Sequence, residues 1–474
     1  MNSPPHPLPS AAQRLPAAVM LRYGVGMFGA QIFRDTPAAL LPVFMTTILG
    51  VPAWLAGLAI LAPKLWVIVC DPLTGAWSDR KAPTIGRTPF LVVGAIATSL
   101  GFLALFQVPA LASPIASATL VSLVFLVAMT GFSAFSVPYL GIAATLSSDP
   151  HERTKLLVYR LIFTSLAIIA GVGLAQPTVF WFGGGAPGWR SMAMLYAAVC
   201  LVSMLGCAIG LRNVLRARPL PSSDTSSLAT RFAAAWRNKP FRQLTVIHFI
   251  QTIAQACGYT VVAMVFIYLV DRIALLPVTM MAMSLSGIVV QPVWLALSKR
   301  MGKIPLFTAL CVAWCLVTVT WLGIDWGKDS RAVLPLLGDT SVKEVLIVVR
   351  GMLLGVTNAG FVLLVTSLFT DTIYLGGEDG GSVEGSYAGL WSASEKLAFA
   401  LGPVIAGAVL SLSGFAPSRT GPGVQSASAM LGILANYSII PVVLFVASLC
   451  LVPSYARTVR AAEARLSSRP DLLR

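Results

Sequence analysis

Asp71 and Lys64 interrupt an apolar stretch that begins near Trp54, and Arg34, Asp35, Arg160, Glu395 and Lys396 interrupt others. A charge at the centre of a membrane helix costs about 2.5–3.5 kcal/mol on insertion scales, so such groups face a partner or a water-filled cavity. The chemistry open to them is binding. A carboxylate takes up a proton or a metal cation, and ammonium or guanidinium groups hold acidic or hydroxyl-bearing solutes. Asp71 is either a structural partner of Lys64 or Lys396, or the carboxylate of a coupling ion. The second reading is favoured, because a carboxylate that carries a cation must be reachable from both sides. Arg34 and Asp35 either pair locally or meet the solute or a proton, and Arg160 either anchors its bundle or contacts the solute. Glu395 and Lys396 are adjacent and point about 100° apart on a helix, which leaves Lys396 to neutralise Asp71.

Uncharged polar groups extend the pattern. In "HFIQTIAQACGY", His248, Gln251, Thr252, Gln255 and Tyr259 recur at three- and four-residue spacing. Such a stripe should turn away from lipid. Interhelical hydrogen bonding is the plainer account, and the length of the stripe favours a cavity lining. Tyr387, Trp391 and Ser394 or Glu395 make a similar face. Trp391 there suits either a sugar ring or an interfacial belt. Asn358 is a lone amide in an apolar stretch, costly in lipid, and is expected to face the cavity. Asp79, Arg80 and Arg87 fall between two apolar runs and are expected to form a gate.

The elements that must position these residues are membrane helices. The chain of 474 residues is 57% hydrophobic and only 11% charged, with mean hydropathy +0.82. Twelve runs are long enough to span a bilayer: 20–48, 54–78, 89–111, 116–146, 154–182, 190–211, 243–270, 276–298, 304–325, 343–374, 386–413 and 427–454. The net charge of +15 is concentrated in alternate loops and the tail from Arg457 onward. That is a topology signal, placing both termini and the 212–242 loop in the cytoplasm beside anionic lipid. It is not a nucleic-acid signal. The first residues (MNSPPHPLPSAAQRLPAAVM) lack a signal peptide's basic start, so the first run is expected to remain as a span.

The basic 212–242 connection divides the chain in two. "DPLTGAWSDR" (71–80) aligns with "QPVWLALSKR" (291–300), each closing the second span of its half, with Gly86-Arg87 and Gly302-Lys303 following. The expected organisation is an N-terminal tail 1–19, a six-helix bundle 20–211, a linker 212–242, a second six-helix bundle 243–454 and a tail 455–474, all α-helical. Paired six-helix halves with a site between them are a transporter layout.

Other chemistries find little support. The seven cysteines lie within expected spans, so disulfides and metal sites are not anticipated. "GVGMFG" has dinucleotide-fingerprint spacing but no preceding strand, and close helix packing explains its small residues. There is no Walker phosphate loop. His6, His151 and His248 are the only histidines, which leaves an enzyme reading without a triad and without an expected cofactor.

Several separated motifs resemble the glycoside–pentoside–hexuronide:cation symporters, the melibiose permease group of the major facilitator superfamily. They are "YGVGMFG" (23–29), "LWVIVCDPLTGAWSDR" (65–80), "IGRTPFLVVG" (85–94), "SVPYLGIAATLSSDPHERTKLLVYRLIF" (136–163) and "DTIYLGGEDGGSVEGSYAGLWSASEKLAFALG" (371–402). The resemblance covers nearly the whole chain. It implies the major facilitator fold and cation-coupled symport of a sugar or glycoside by alternating access, in a bacterial inner membrane. The alternatives are transport of another solute, such as a lysolipid or drug, and a role as a non-transporting assembly factor for membrane complexes. It points to a solute site of Gln31, Asp35, Ser136, Arg160, Gln255, Tyr259, Asn358 and Trp391. The coupling site would be Asp71 with Lys396, Asp35 or Glu395 being able to take the role. The group's pattern holds its cation with two acids one turn apart on the second helix and one before the fourth-helix proline. Here Val67 and Ser136 stand at two of those positions, and Gln31 aligns with the first-helix sugar-binding acid, Asp35 following one turn later. One carboxylate serves a proton better than sodium, which needs several converging oxygens, so a proton is the expected coupling ion. A monomer is expected.

Overall fold

The computed structural model describes residues 15–146, 150–216, 236–334, 338–375 and 380–467. Its first half holds α1 (Ala17–Thr47), α2 (Ala53–Ile85), α3 (Thr88–Leu105) and α4 (Pro114–Leu146). Next comes α5, which runs Pro150–Ile168, through a π turn Ile169–Leu174, into Ala175–Trp181, and then α6 (Gly185–Gly210). The second half holds α7 (Lys239–Met264, ending in a π turn), α8 (Leu275–Met301), α9 (Lys303–Val319), α10 (Val342–Tyr374) and α11 (Gly380–Leu412). The last span, α12, joins Ala427–Leu434 and Ile440–Leu449 through a π turn, and a separate helix α13 (Val452–Ser467) follows it. The sequence places the end of the last span at 454. The chain instead turns at 450–451, and α13 buries Tyr455 and Val459. One departure from an all-helical chain is a hairpin pairing Arg331–Leu334 with Gly338–Ser341 between α9 and α10.

Eleven helical stretches among the described residues are long and apolar enough to cross a membrane. The remaining one of the twelve expected is α1, whose 31 residues carry Gln31, Arg34 and Asp35 near the middle and so lower its mean hydropathy. Large apolar side chains such as Val202, Val289, Leu316 and Val443 point outward, which suits a lipid-facing surface.

Packing repeats with an offset of six helices. α1 lies against α5 and α6, α2 against α4, and α3 against α4 and α6; likewise α7 lies against α11 and α12, α8 against α10, and α9 against α10 and α12. Between the halves, α2 meets α11, α5 meets α8 and α1 meets α7. In lipid there is little hydrophobic drive for helices to associate, so small residues that let backbones approach carry much of the packing. Gly26 and Gly29 bring α1 against Cys207, Cys200 and Ser203 of α6, and Gly24 brings it against Phe163 of α5. This accounts for "GVGMFG". On α10, Gly351 and Gly355 back onto Thr279 and the Met283 carbonyl of α8.

The π turns free carbonyls that neighbouring helices then satisfy. Thr36 Oγ1 donates to Gly171 O at 2.8 Å and Tyr196 Oη to Ala170 O at 2.7 Å.

The halves close against each other at the end holding the α1–α2 and α11–α12 connections. There Ser418 N donates to Thr46 O at 2.7 Å and Gly421 N to Thr47 O at 2.9 Å. Arg419 Nη2 donates to Leu111 O and Ala112 O at 3.1 and 3.3 Å. Trp54 N donates to Ser411 Oγ at 3.0 Å. Among the described residues, every hydrogen bond given between the halves lies here or deeper, ending at the Asp71–Lys396 pair.

Candidate functional site

The deepest inter-half contact joins α2, α4 and α11. Asp71 Oδ2 pairs with Lys396 Nζ, and Ser133 Oγ donates to Asp71 Oδ1 at 2.5 Å. The Asp71 side chain is 17% exposed and that of Lys396 36%, so the pair is largely withdrawn from water yet reachable from the cavity. Breaking a buried pair by removing one partner costs about 3–5 kcal/mol, while an exposed pair contributes about 0–1 kcal/mol. This pair lies between those limits. Val67, one turn before Asp71, is buried and offers no oxygen.

Lys64, the other partner considered for Asp71, goes elsewhere for a local reason. Pro403 in α11 has no N–H, so the Phe399 carbonyl four residues earlier lacks its helical donor. Lys64 Nζ supplies one at 3.2 Å.

One helix away, Gln31 Nε2 donates to Asp35 Oδ2 at 2.6 Å and Arg34 Nε to Asp35 Oδ1 at 3.2 Å. Asp35 is buried, but the Arg34 side chain is 61% exposed although it stands at the middle of α1. Such exposure at mid-helix is what a water-filled cavity produces. Tyr259 of α7 and Glu395 of α11 lie around the Arg34 guanidinium, and Tyr259 lies within reach of Asp35. Gln31, Arg34, Asp35, Tyr259 and Glu395 thus share one chamber, bordered by Lys64.

A third group lies farther along α7 and α11. His248 Nε2 is 3.0 Å from Glu395 Oε1, and its ring stacks on Trp391 with centroids 4.3 Å apart and planes 6° apart. Nδ1 of His248 is buried without a hydrogen-bond partner. A neutral ring protonated on Nε2 leaves only an acceptor unpaired, whereas an imidazolium would bury an unpaired donor at about 1–3 kcal/mol. Nε2–H therefore donates to Glu395. Trp391 also packs against Phe369, with centroids 4.8 Å apart and planes tilted by 43°. The stacked His248 ring occupies a face of Trp391 that a sugar ring would otherwise use.

Other expected members separate from the chamber. Arg160 lies beside Tyr23 and Tyr139, and Tyr23 is eleven residues before Arg34, about 16 Å along α1 at 1.5 Å per residue. Arg160 therefore lies well toward the terminus-bearing end. Gln251, within the expected polar stripe, turns into its own bundle, donating to Ser448 Oγ at 2.9 Å and Cys311 Sγ at 3.5 Å. The stripe divides because 3.6-residue periodicity carries its members around the helix. Ser136, Gln255 and Asn358 are half-buried. Ser133, one turn before Ser136, is the hydroxyl that reaches Asp71.

At the expected gate, Arg80 is exposed and Arg87 is half-buried, its guanidinium against Gly141 of α4. The Asp79 side chain lies outside the described residues. In the second half, Lys303 pairs with both oxygens of Asp371 at 2.7 and 2.6 Å. The acid missing from the 298–303 segment is thus supplied by α10, a long-range contact that local comparison of the two turns does not reveal.

Sequence reasoning also missed Ser133 and the His248–Glu395 contact. The i, i+3 relation of Ser133 to Ser136 was available as a signal. The pairing of α7 with α11 at that level was not.

Residues 22–456 match the model of a family described as MFS/sugar transport protein. The chain is 24% identical over 444 residues to an isoprimeverose transporter of Lactiplantibacillus pentosus, covering 91% of this chain and 87% of that one. It is 23% identical over 446 residues to symporter YjmB of Bacillus subtilis (strain 168), covering 91% and 90%. Among solved structures it is similar to the nucleoside transporter NupG, with TM-score 0.61, 13% identity and coverage of 93% and 98%. It is also similar to a bacterial homologue of the human drug peptide transporters PepT1 and PepT2, with TM-score 0.62, 15% identity and coverage of 95% and 99%. These structural likenesses establish the fold.

Proposed function

The chain belongs to the MFS/sugar transport protein family, and from that membership we propose a cation-coupled symporter that carries a sugar or glycoside across a bacterial inner membrane by alternating access. It is an integral membrane protein of twelve helices, with both termini read as cytoplasmic from the loop charges. The relatives named as an isoprimeverose transporter and a symporter support the solute class and the coupling.

The observation that carries the reading is the solvent-reached set of charges midway along the helices. Arg34, Asp35, Gln31 and Tyr259 line a chamber with donors and acceptors suited to a hydroxyl-rich solute, and the Asp71–Lys396 pair bridges the halves beside it. A scaffold without transport has no use for charges in that position.

The coupling ion in this reading is a proton. Lys396 already pairs with Asp71, and Val67 and Ser136 add no second or third carboxylate. Protonation of Asp71 forms an O–H bond and removes the charge that holds Lys396. The α2–α11 link then weakens and the halves are free to rock. Loss of the proton to the cytoplasm restores the pair. The working unit is a monomer.

Thermal-shift measurements on the purified protein test the solute class. A panel of monosaccharides, glycosides and lysolipids should give a rise in Tm with a sugar or glycoside, lost in Asp35→Asn. A rise with lysolipid alone would overturn the assignment.

A further inference from the structure

We propose that Glu395 is a second proton-binding site of the cavity, distinct from Asp71, and that His248 is the residue that positions its carboxylate. The two acids stand in different situations. Asp71 is held on one oxygen by Lys396 and on the other by Ser133, so a proton there competes with an ammonium. Glu395 is held on Oε1 alone, by His248, and its side chain is 43% exposed. No hydrogen bond to its Oε2 is seen among the described residues.

The surroundings of His248 fix its role. The ring lies flat on Trp391, and Phe361 of α10 packs on it with centroids 6.2 Å apart. The buried Nδ1 has no acceptor for a second N–H. Thr252 Oγ1, 3.4 Å from Nε2, donates to the His248 carbonyl at 2.8 Å. His248 is thereby held with Nε2 against the Glu395 carboxylate. The charged groups around Glu395 are Arg34 of α1, with Asp35 behind it, and the adjacent Lys396. From α10 the facing group is the uncharged Phe361.

The step is a single proton transfer. Water of the cavity delivers H⁺ to Oε2, one O–H bond forms, and the Nε2–H···Oε1 contact remains. Loading removes an anion from beside Arg34, which then carries positive charge balanced by Asp35 alone. Proton uptake at Glu395 therefore strengthens the hold of Arg34 on an electron-rich group of the solute.

The inference rests on the transporter reading, but its test needs neither solute nor gradient. The probe is the proton itself, followed by pH-difference infrared spectroscopy of the full-length protein in liposomes. A carboxyl band should be lost in Glu395→Gln and retained in Asp71→Asn. A hydrogen bond to the ionised form favours that form. His248→Phe should therefore raise the midpoint of the band by about one to two pH units, the equivalent of one charge-assisted hydrogen bond. His248→Gln restores an N–H donor and should return the midpoint toward the wild type, an effect that loss of packing alone would not give. An unchanged band in Glu395→Gln, or equal midpoints in the Phe variant and the wild type, would overturn the proposal. The transporter reading would survive either result.

Discussion

Asp71→Asn removes the charge that links the halves while keeping the volume and the acceptor that Ser133 uses. At an effective dielectric of about 20, unit charges about 4 Å apart attract by about 4 kcal/mol. Lys396 is 36% exposed and partly hydrated, which reduces the contribution to about 2 kcal/mol, between the exposed and buried limits. That energy favours the arrangement closed at the α1–α2 end, and its loss corresponds to about a 30-fold change in the population ratio. Thr47 is a suitable reporter, because it is buried beneath the α11–α12 loop and its carbonyl accepts Gly421 N. With the exposed Cys450 replaced by serine, a Thr47→Cys side chain should react with an impermeant maleimide roughly ten- to thirty-fold faster in the Asp71→Asn background. Equal rates in both backgrounds would refute the idea that this pair holds the halves in the observed state.

Two further outcomes follow from the packing. Arg419→Ala deletes the donor to Leu111 O and Ala112 O and uncovers Gly50; the same Thr47 reporter should label faster, with Tm lowered by less than in a core mutant, and unaltered labelling would show the clasp to be passive. Gly355→Leu forces a side chain onto the Met283 carbonyl and Ser286 of α8; parting these helices should lower Tm by several degrees and reduce the yield of monodisperse protein, and a wild-type melting curve would contradict the close α8–α10 contact.

Most of the helical framework was legible because the signal is simple. A run of about 20 apolar residues has little alternative in a bilayer, and the expected tenth span, 343–374, agrees with α10 (Val342–Tyr374) to one residue. The first span was recognised from its apolar flanks even though Arg34 and Asp35 lower its hydropathy. The hairpin at 331–341 was not foreseen, because short polar segments outside the membrane carry weak periodic signals.

The candidate site was legible in residue type more than in partnership. Intramembrane cost singles out Asp71, Arg34 and Asp35 without any structure. Helix geometry also points to Lys396 as the partner of Asp71, but it does not say that Pro403 draws Lys64 to the Phe399 carbonyl. Nor does stripe spacing separate Gln251, which bonds within its bundle, from Tyr259, which faces the chamber. Those assignments depend on crossing angles and helix rotation between distant segments. Trp391 is the plainest example, since its place on a polar face gave no warning that the His248 ring would stack on it and Phe369 pack beside it.

The central claim is that Asp71, opposed by Lys396, couples solute movement to protons. Uptake of the sugar or glycoside identified by thermal shift, measured in proteoliposomes under a pH gradient alone and under a sodium gradient alone, tests it most directly. Accumulation should follow the pH gradient, vanish with a protonophore, and be absent in Asp71→Asn while downhill exchange persists. Sodium-driven accumulation that survives collapse of the proton gradient would contradict the account.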